Sequence, residues 1–566
     1  MSQPQPAVTP GMLPTLAKGT LPLFRSGVLS PMGPVTVGKV LRAIHHWEFL
    51  PAGLLAIGAA RDPHHAALID DAGSLTYSEL DDQTDRLARA LFRSGIRERD
   101  RIGMLCRNHR GFVMTLCAHG RLGTDLVLLN TGASAEQTRA VIREQKIDLL
   151  VLDEEFIPLL PRDFDACPVI IAWEDTDDDP EAENVSEAAD GDHAVRNPDW
   201  PSLNEVLRTS PDTQTIPSRP RRGRTVILTS GTTGTPKGAR RPEPRTYLPA
   251  SSIMSRIPLR HHRPYYIAAP MFHTWGFAQI QLALALRATM IVQRRFSPKS
   301  AVKLIEANRP HTIAIVPTML KRLLTAIPEH FNPGVKVIAA CGEALPPRVI
   351  SDTMDAFGAV LYNLYGSTEV SWATIATPEE LREHPSTAGK PPMATVVKIV
   401  DENGKPCAEG EVGAIYVGND MLFEGYTRPG ADKPVVDGLV ATGDLGYVED
   451  GLVYIAGRSD DMIVSGGENV YPQETEDVIP VMDGVDEVAV HGVDDEDFGQ
   501  ALAAFVVLAD GVDPAEFRER AKQEVKDRLA RHCVPRYYVF MDSLPRNEVG
   551  KVVPRELPEV TAEDRA

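Results

Sequence analysis

Residues 226–238, Val-Ile-Leu-Thr-Ser-Gly-Thr-Thr-Gly-Thr-Pro-Lys-Gly, run from an apolar strand straight into a loop suited to an anion. Between Thr229 and Gly238 stand three glycines, five hydroxyl residues and Lys237. Glycine lets backbone amides approach a ligand closely, hydroxyls donate hydrogen bonds, and the ammonium supplies charge. The spacing is not that of a Walker A loop, which requires Gly where Pro236 stands. A flexible Gly/Thr surface turn is the plain alternative, but donor capacity this dense points to phosphate.

On the N-terminal side of this loop, strand and helix patterns alternate. Thr76-x-x-Glu79 is a capping-box pattern; Leu80, Leu87, Ala88 and Leu91 then share one face, and Gly95 suits the helix end. Arg101 to Cys106, Asp125 to Asn130 and Ile147 to Leu152 read as buried strands. Such alternation predicts an α/β fold with a largely parallel sheet. Residues 174–200 are an acidic low-complexity interruption, read as a solvated loop, and residues 210–224 a Pro/Arg-rich connection. Beyond Pro392 the style changes: Val396 to Val400, a turn at Asn403-Gly404 and Val412 to Val417 predict an antiparallel hairpin.

At 566 residues the chain is too long for one core. A net charge of -19 argues against nucleic acid as the main partner, which would need a basic face. The six cysteines are scattered with no C-x-x-C pair, which fits a reducing cytoplasm. Residues 1–35, rich in Pro and Gly, are expected to be poorly ordered and have no signal-peptide layout. The run Phe49 to Ala60 is too short to span a bilayer. Residues 36–61 mix apolar side chains and Trp47 with Lys39, Arg42 and Arg61. They read as a helix packed on the main domain, with weak peripheral contact at the inner face of a membrane as the alternative.

The loop 229–238 resembles the signature of the adenylate-forming superfamily: acyl-CoA and aryl-CoA synthetases, peptide-synthetase adenylation domains and luciferases. Four further motifs follow in that family's order. Asn363-Leu-Tyr-Gly-Ser-Thr-Glu369 is similar to its adenine and magnesium segment, and Thr442-Gly-Asp444 to its ribose segment. Residues 457–472 resemble its hinge region, and Pro545-Arg-Asn-Glu-Val-Gly-Lys551 its C-terminal lysine loop. The resemblance covers roughly residues 60–557. It implies a large N-terminal domain, 36–459, of mixed α/β subdomains with a β-barrel-like part. A small mobile α+β domain, 460–566, would turn about a hinge at Asp460.

The implied chemistry has two steps: a carboxylate attacks the α-phosphorus of ATP and expels pyrophosphate, then the thiol of coenzyme A displaces AMP. By resemblance Thr229, Ser230, Gly231, Thr232, Thr233, Gly234 and Lys237 wrap the β- and γ-phosphates. Glu369 is the Mg²⁺ ligand, a hard carboxylate for a hard cation, with Thr229 as a second oxygen. Gly342, Glu343 and Ala344 line the nucleotide on one side, and Asn363, Tyr365 and Gly366 hold adenine on the other. Thr368 reaches the α-phosphate. Asp444 accepts from the ribose hydroxyls and Arg458 adds a further contact. Lys551 is the implied catalytic cation, bridging carboxylate and α-phosphate as charge gathers there. Its setting is Val549-Gly550-Lys551 rather than the family's usual Asn-Gly-Lys. Gly466 and Gly467 would lie against the pantetheine, where a side chain would obstruct it. Val464 stands where many relatives carry lysine.

The acid should follow Ala269-Pro-Met-Phe-His-Thr-Trp-Gly276. Peptide-synthetase domains usually place Asp after the aromatic residue, to pair with an ammonium; this chain has His273, which disfavours amino acids. His273 is a candidate catalytic residue, gating the acyl site or orienting the anhydride; a structural histidine is the alternative. Residues 276–286, GFAQIQLALAL, suit a hydrocarbon chain and equally a buried helix. A medium- or long-chain fatty acid is the favoured substrate. An aryl-CoA ligase, a fatty-acyl-AMP ligase loading a carrier protein and a non-catalytic scaffold on the same fold remain alternatives.

Overall fold

The computed structural model describes residues 12–175, 196–210, 215–229, 237–428, 433–459, 461–465, 468–495, 498–547 and 550–565. Ser230, Gly231, Thr232, Thr233, Gly234, Asp460, Gly466 and Gly467 lie outside them, as does most of the acidic interruption. Among the described residues the chain forms four sheets.

Two sheets are mainly parallel. The first runs Val169–Trp173, Leu149–Asp153, Arg101–Leu105, Asp125–Leu128, Thr225–Thr229, with Lys237–Arg241 added antiparallel at its edge. The second has eight strands, its parallel middle running Leu361–Tyr365, Val337–Cys341, Thr312–Ile315, Pro264–Ile267, Thr289–Ile291, Ala66–Asp70. Helices join the two: Leu80 of Tyr77–Arg93 and Phe112 of Arg110–Leu122 share one core with Ile102 and Leu126 of one sheet and Leu68 and Tyr265 of the other. The first of these helices starts as its sequence dictates. The Thr76 hydroxyl accepts the Glu79 amide at 3.2 Å while the Glu79 carboxylate accepts the Thr76 amide at 2.8 Å, a reciprocal cap. Both parallel sheets are covered on both faces, so their strands read as apolar runs.

The third sheet is antiparallel, ordered Thr387–Gly389, Leu452–Arg458, Leu439–Glu449, Gly413–Gly418, Val396–Val400. It contains the expected hairpin, with Val396 opposite Gly418 and Gly404 at φ +76° in the connection. A fourth sheet of five strands, built on the long pair Val485–Asp495 and Gly499–Leu508, has a core of its own with the helix Pro514–Arg528. The fold is thus a large mixed α/β part followed by a smaller α+β part.

One cluster of metal-ligand type occurs among the described residues: Cys106, His109 and Asp153, all buried. His109 Nε2 lies 2.7 Å from Asp153 Oδ1, and its Nδ1 accepts the Gly111 amide at 3.0 Å. Both ring nitrogens are used in tying strand ends to a helix start.

Of the lead-in 1–35, residues 1–11 lie outside the described residues, while 12–35 carry the helix Met12–Ser26 and lead into a second, Pro34–Trp47. Packing decides this. Leu23 and Ser26 are buried, and Gly19 lies so close to the helix Leu248–Met254 that a Cβ would stand 2.9 Å from Leu248 Cδ2. The Arg61 guanidinium donates to Val28 O at 3.0 Å, and the His261 amide to Ser26 O at 3.0 Å. Phe49 to Ala60 is largely the helix Pro51–Arg61, packed on the main core, with Leu55 fully buried. No helix among the described residues is long and apolar enough to cross a membrane.

Candidate active site

In an open parallel sheet, segments leaving the carboxyl ends of neighbouring strands converge on one crevice. Four adjacent strands of the eight-stranded sheet do so here. Pro264–Ile267 leads to His273, Thr312–Ile315 to Thr318, Val337–Cys341 to Gly342, Glu343 and Ala344, and Leu361–Tyr365 to Gly366, Thr368 and Glu369. The edge hairpin of the other parallel sheet puts Lys237 directly opposite Thr229. The antiparallel sheet contributes Asp444 and Arg458 as a cross-strand pair. All of these except Thr229, together with Asn363 and Lys551, line one continuous cavity of about 1810 Å³. That exceeds the roughly 300–1,000 Å³ of a single small-molecule site, leaving room for a nucleotide and an acid together.

At the nucleotide end the polar groups are already oriented. The Tyr365 hydroxyl donates to Asp444 Oδ2 at 2.5 Å, the Thr442 hydroxyl accepts the Asp444 amide at 3.0 Å, and Arg458 Nη1 stands 3.6 Å from Asp444 Oδ1. Burial, then the Asp444 charge, raises the Tyr365 pKa well above the usual phenol range, so the ring keeps its proton. Asn363 Oδ1 is buried with no hydrogen-bond partner among the described residues. An orphaned acceptor costs about 1–3 kcal/mol unless a ligand supplies a donor, and an exocyclic amino group does so. The Thr274 hydroxyl donates to Thr368 Oγ1 at 3.1 Å, holding that side chain at the start of the helix Thr274–Ala285.

At the reacting end the small domain closes over the large one. Arg546 Nη1 donates to Gly550 O, the Lys551 amide donates to Asn547 Oδ1 at 2.9 Å, and Gly550 takes φ +85°. This tight loop presents the Lys551 ammonium to His273, Cys341 and Glu343, on each of which its charge acts. His273 is half-buried at the N-cap of Thr274–Ala285, and its buried Nε2 has no partner among the described residues. Burial, reinforced by Lys551, pulls its pKa down to about 3, so the imidazole is neutral at ordinary pH. Glu343 accepts the Thr318 hydroxyl at 2.6 Å on Oε2, while its buried Oε1 has no partner among the described residues. Burial raises its pKa, with Thr318, Arg546 and Lys551 opposing.

The AMP-binding enzyme family model matches residues 55–427, more than half of the chain, and the AMP-binding enzyme C-terminal domain model matches residues 474–551. The chain belongs to the AMP-binding enzyme family. The enzyme is 30% identical to the 2-succinylbenzoate–CoA ligase of Bacillus licheniformis over 500 residues, 88% of its own chain and 97% of that relative. It is 28% identical to a fatty acid–[acyl-carrier-protein] ligase of Streptomyces coeruleorubidus, over 88% and 94% of the two chains. The o-succinylbenzoate coenzyme A synthetase of Bacillus subtilis, solved with its acyl-adenylate and with ATP and a magnesium ion, superposes with a TM-score of 0.72 at 26% identity, over 89% and 98% of the chains. The machinery of this enzyme is that of an ATP-dependent acid–thiol ligase.

Sequence reasoning missed two residues that position the enzyme's candidate groups. The Tyr426 hydroxyl donates to Glu369 Oε1 at 2.5 Å, and its ring centroid lies 5.9 Å from Lys237 Nζ, so one side chain braces both. Arg241, fully buried near Glu369, donates to Ser371 Oγ at 2.6 Å. Burial pulls its pKa to about 10 against Glu243 and Glu369. Neither residue belongs to a recognisable string: Tyr426 meets Glu369 across 57 positions, through an isolated bridge to Ala239. Glu369 is a hard carboxylate joined through Tyr426 to the neighbourhood of Lys237. That donor set fits Mg²⁺, which takes one or two carboxylates and completes its shell with water and phosphate oxygens.

Proposed function

We propose that the enzyme converts a medium- or long-chain fatty acid to acyl-AMP and then to acyl-CoA. In the first step a carboxylate oxygen bonds to the α-phosphorus of ATP as the bond to pyrophosphate breaks. In the second the coenzyme A sulfur bonds to the acyl carbon and AMP leaves. The chain's contribution to the first step is placement and charge neutralisation. Tyr365, Asn363 and Asp444 fix the nucleoside, Lys237 meets the distal phosphates, and Lys551 meets the charge that gathers between carboxylate and α-phosphate. His273, neutral and half-buried, orients the anhydride through its open Nε2 and excludes water beside it. Mg²⁺, held by Glu369, neutralises phosphate charge when bound.

The observation that supports a fatty acid is the arm of the cavity beyond His273. It runs past Phe277, Gln281 and Ala285 to Tyr247 and Ile253, then out along Val28, Val40 and Ile44. Two arginines reach this arm and both are engaged. Arg61 donates to Val28 O at 3.0 Å and Ser30 Oγ at 2.5 Å, and Arg287 Nε donates to Asp62 Oδ2 at 2.7 Å. A long apolar arm with its cations committed favours a monocarboxylic hydrocarbon over a dicarboxylate such as succinylbenzoate. Transfer to a carrier protein is the second reading, favoured by the Streptomyces relative. The deciding experiment is pyrophosphate release over fatty, aryl and dicarboxylic acids, with coenzyme A, with a carrier protein, or with neither. Release and thioester formation with fatty acids and coenzyme A are expected. Release confined to succinylbenzoate-like acids would overturn the substrate, and thioester formed only on the carrier would overturn the acceptor.

A further inference from the structure

The chain holds 78 Asp and Glu residues, yet none occurs before Glu48, whereas Lys18, Arg25, Lys39 and Arg42 do. A protein of net charge -19 therefore begins with a wholly cationic stretch. Glu48 itself is paired with Arg222. Arg25, Lys39 and Arg42 are exposed, and Arg260 lies beside Arg25, donating to its carbonyl oxygen. The same stretch carries most of the large apolar side chains that the described residues leave in solvent. Phe24 is 71% exposed, Val35 74% and Leu41 60%, with Leu21, Leu29 and Met32 also out. Exposed apolar surface this dense marks a docking face rather than ordinary scatter.

What gives the face a purpose is its place relative to the cavity. Leu29, Met32, Val37 and Leu41 are at once exposed to solvent and part of the cavity wall that leads back to His273 and Lys551. The outer end of the acid arm thus opens among the exposed apolar side chains, and the helix that carries Val37 and Leu41 there also carries Lys39 and Arg42. We propose that this face, residues 19–47, docks on an anionic bilayer, and that the acid passes from the lipid into the cavity between the helices Met12–Ser26 and Pro34–Trp47. The nature of the acid rests on the fatty-acid reading; the docking does not. Cations meet the lipid headgroups while Phe24, Val35 and Leu41 enter the acyl boundary, the balance of forces that holds an interfacial helix.

The test is co-sedimentation of the full chain with vesicles of phosphatidylcholine alone or mixed with phosphatidylglycerol. Binding to the mixed vesicles should be about tenfold tighter and should weaken with salt. Phe24→Ser with Val35→Ser, both outside the cavity wall, should lower binding about tenfold. Lys39→Glu with Arg42→Glu should remove the preference for anionic lipid. The serine pair should turn over an acid supplied free in water at the wild-type rate and melt at the wild-type temperature, while losing rate on acid presented in vesicles. No binding to either vesicle would overturn the proposal, as would equal binding to both. So would concentration-dependent self-association, lost in the serine pair, that accounts for the patch. Vesicle binding that persists while fatty acids release no pyrophosphate would refute the fatty-acid reading and leave the docking supported.

Discussion

Lys551 comes from the smaller part of the fold and His273 from the larger, and they meet in one cavity, one an ammonium, the other an imidazole kept neutral by burial. Lys551→Ala should abolish acid-dependent pyrophosphate release, by about 10²–10³-fold if it acts as a preorganised electrostatic donor. Thioester formation from supplied acyl-AMP should largely survive. Equal loss of both half-reactions would refute its role in the first. For His273, the ordinary pKa of 6.5 falls to about 3 on folding. The unfolded chain then takes up a proton between those values that the folded chain refuses. Stability is whole above pH 6.5 and falls as pH drops below it, by about 2 kcal/mol between pH 6.5 and 5 at 1.36 kcal/mol per pH unit. His273→Gln should flatten that part of the curve in denaturant melts. An unchanged pH slope would mean that burial does not hold this imidazole neutral.

At the scale of the element, the lysine loop depends on close approach. Gly550, at φ +85°, lies so near the large domain that a Cβ would stand 2.5 Å from Thr318 Oγ1 and 2.9 Å from Glu343 Oε1. Gly550→Ala should strain the loop and lift it off Thr318, slowing adenylation about tenfold or more while sparing the thiol step. The two half-reactions, assayed separately, check this. Elements of this kind were legible to different degrees. The Thr76–Glu79 cap and the hairpin at Val396 could be read because their signals are local, a side chain answering its own backbone or a period of two. The helix Met12–Ser26 could not. Its Pro- and Gly-rich surroundings read as disorder, and what orders it is burial of Leu23 and the close pass of Gly19 against Leu248, more than 200 positions away.

Across the whole molecule, polar contacts help join the two parts. Lys321 of the large part donates to Asp486 O at 2.8 Å and stands 3.3 Å from Glu487, which also receives Arg546 at 3.0 Å. Half-exposed ion pairs are worth about 0.2–1 kcal/mol each. Glu487→Ala should therefore slow adenylation two- to fivefold, an effect that added salt reproduces in the wild type, and leave the melting of the large part unaltered. A loss insensitive to salt would place the role of Glu487 elsewhere. The motif strings announced a nucleotide cavity because phosphate chemistry demands glycine, hydroxyl and lysine within a few positions. Tyr426 and Arg241 stayed hidden because only the packed sheets bring them to Glu369, and the outer mouth stayed hidden because it needs two helices and a cavity at once. One consequence follows from where Lys551 sits. Asn363, Tyr365, Asp444 and Arg458, the candidate nucleotide groups, all precede the smaller part in the chain, and the candidate catalytic cation Lys551 follows its last strand, Tyr537–Phe540. A chain cut short after Arg458 should therefore keep the candidate nucleotide groups and lack the candidate cation, binding without turnover.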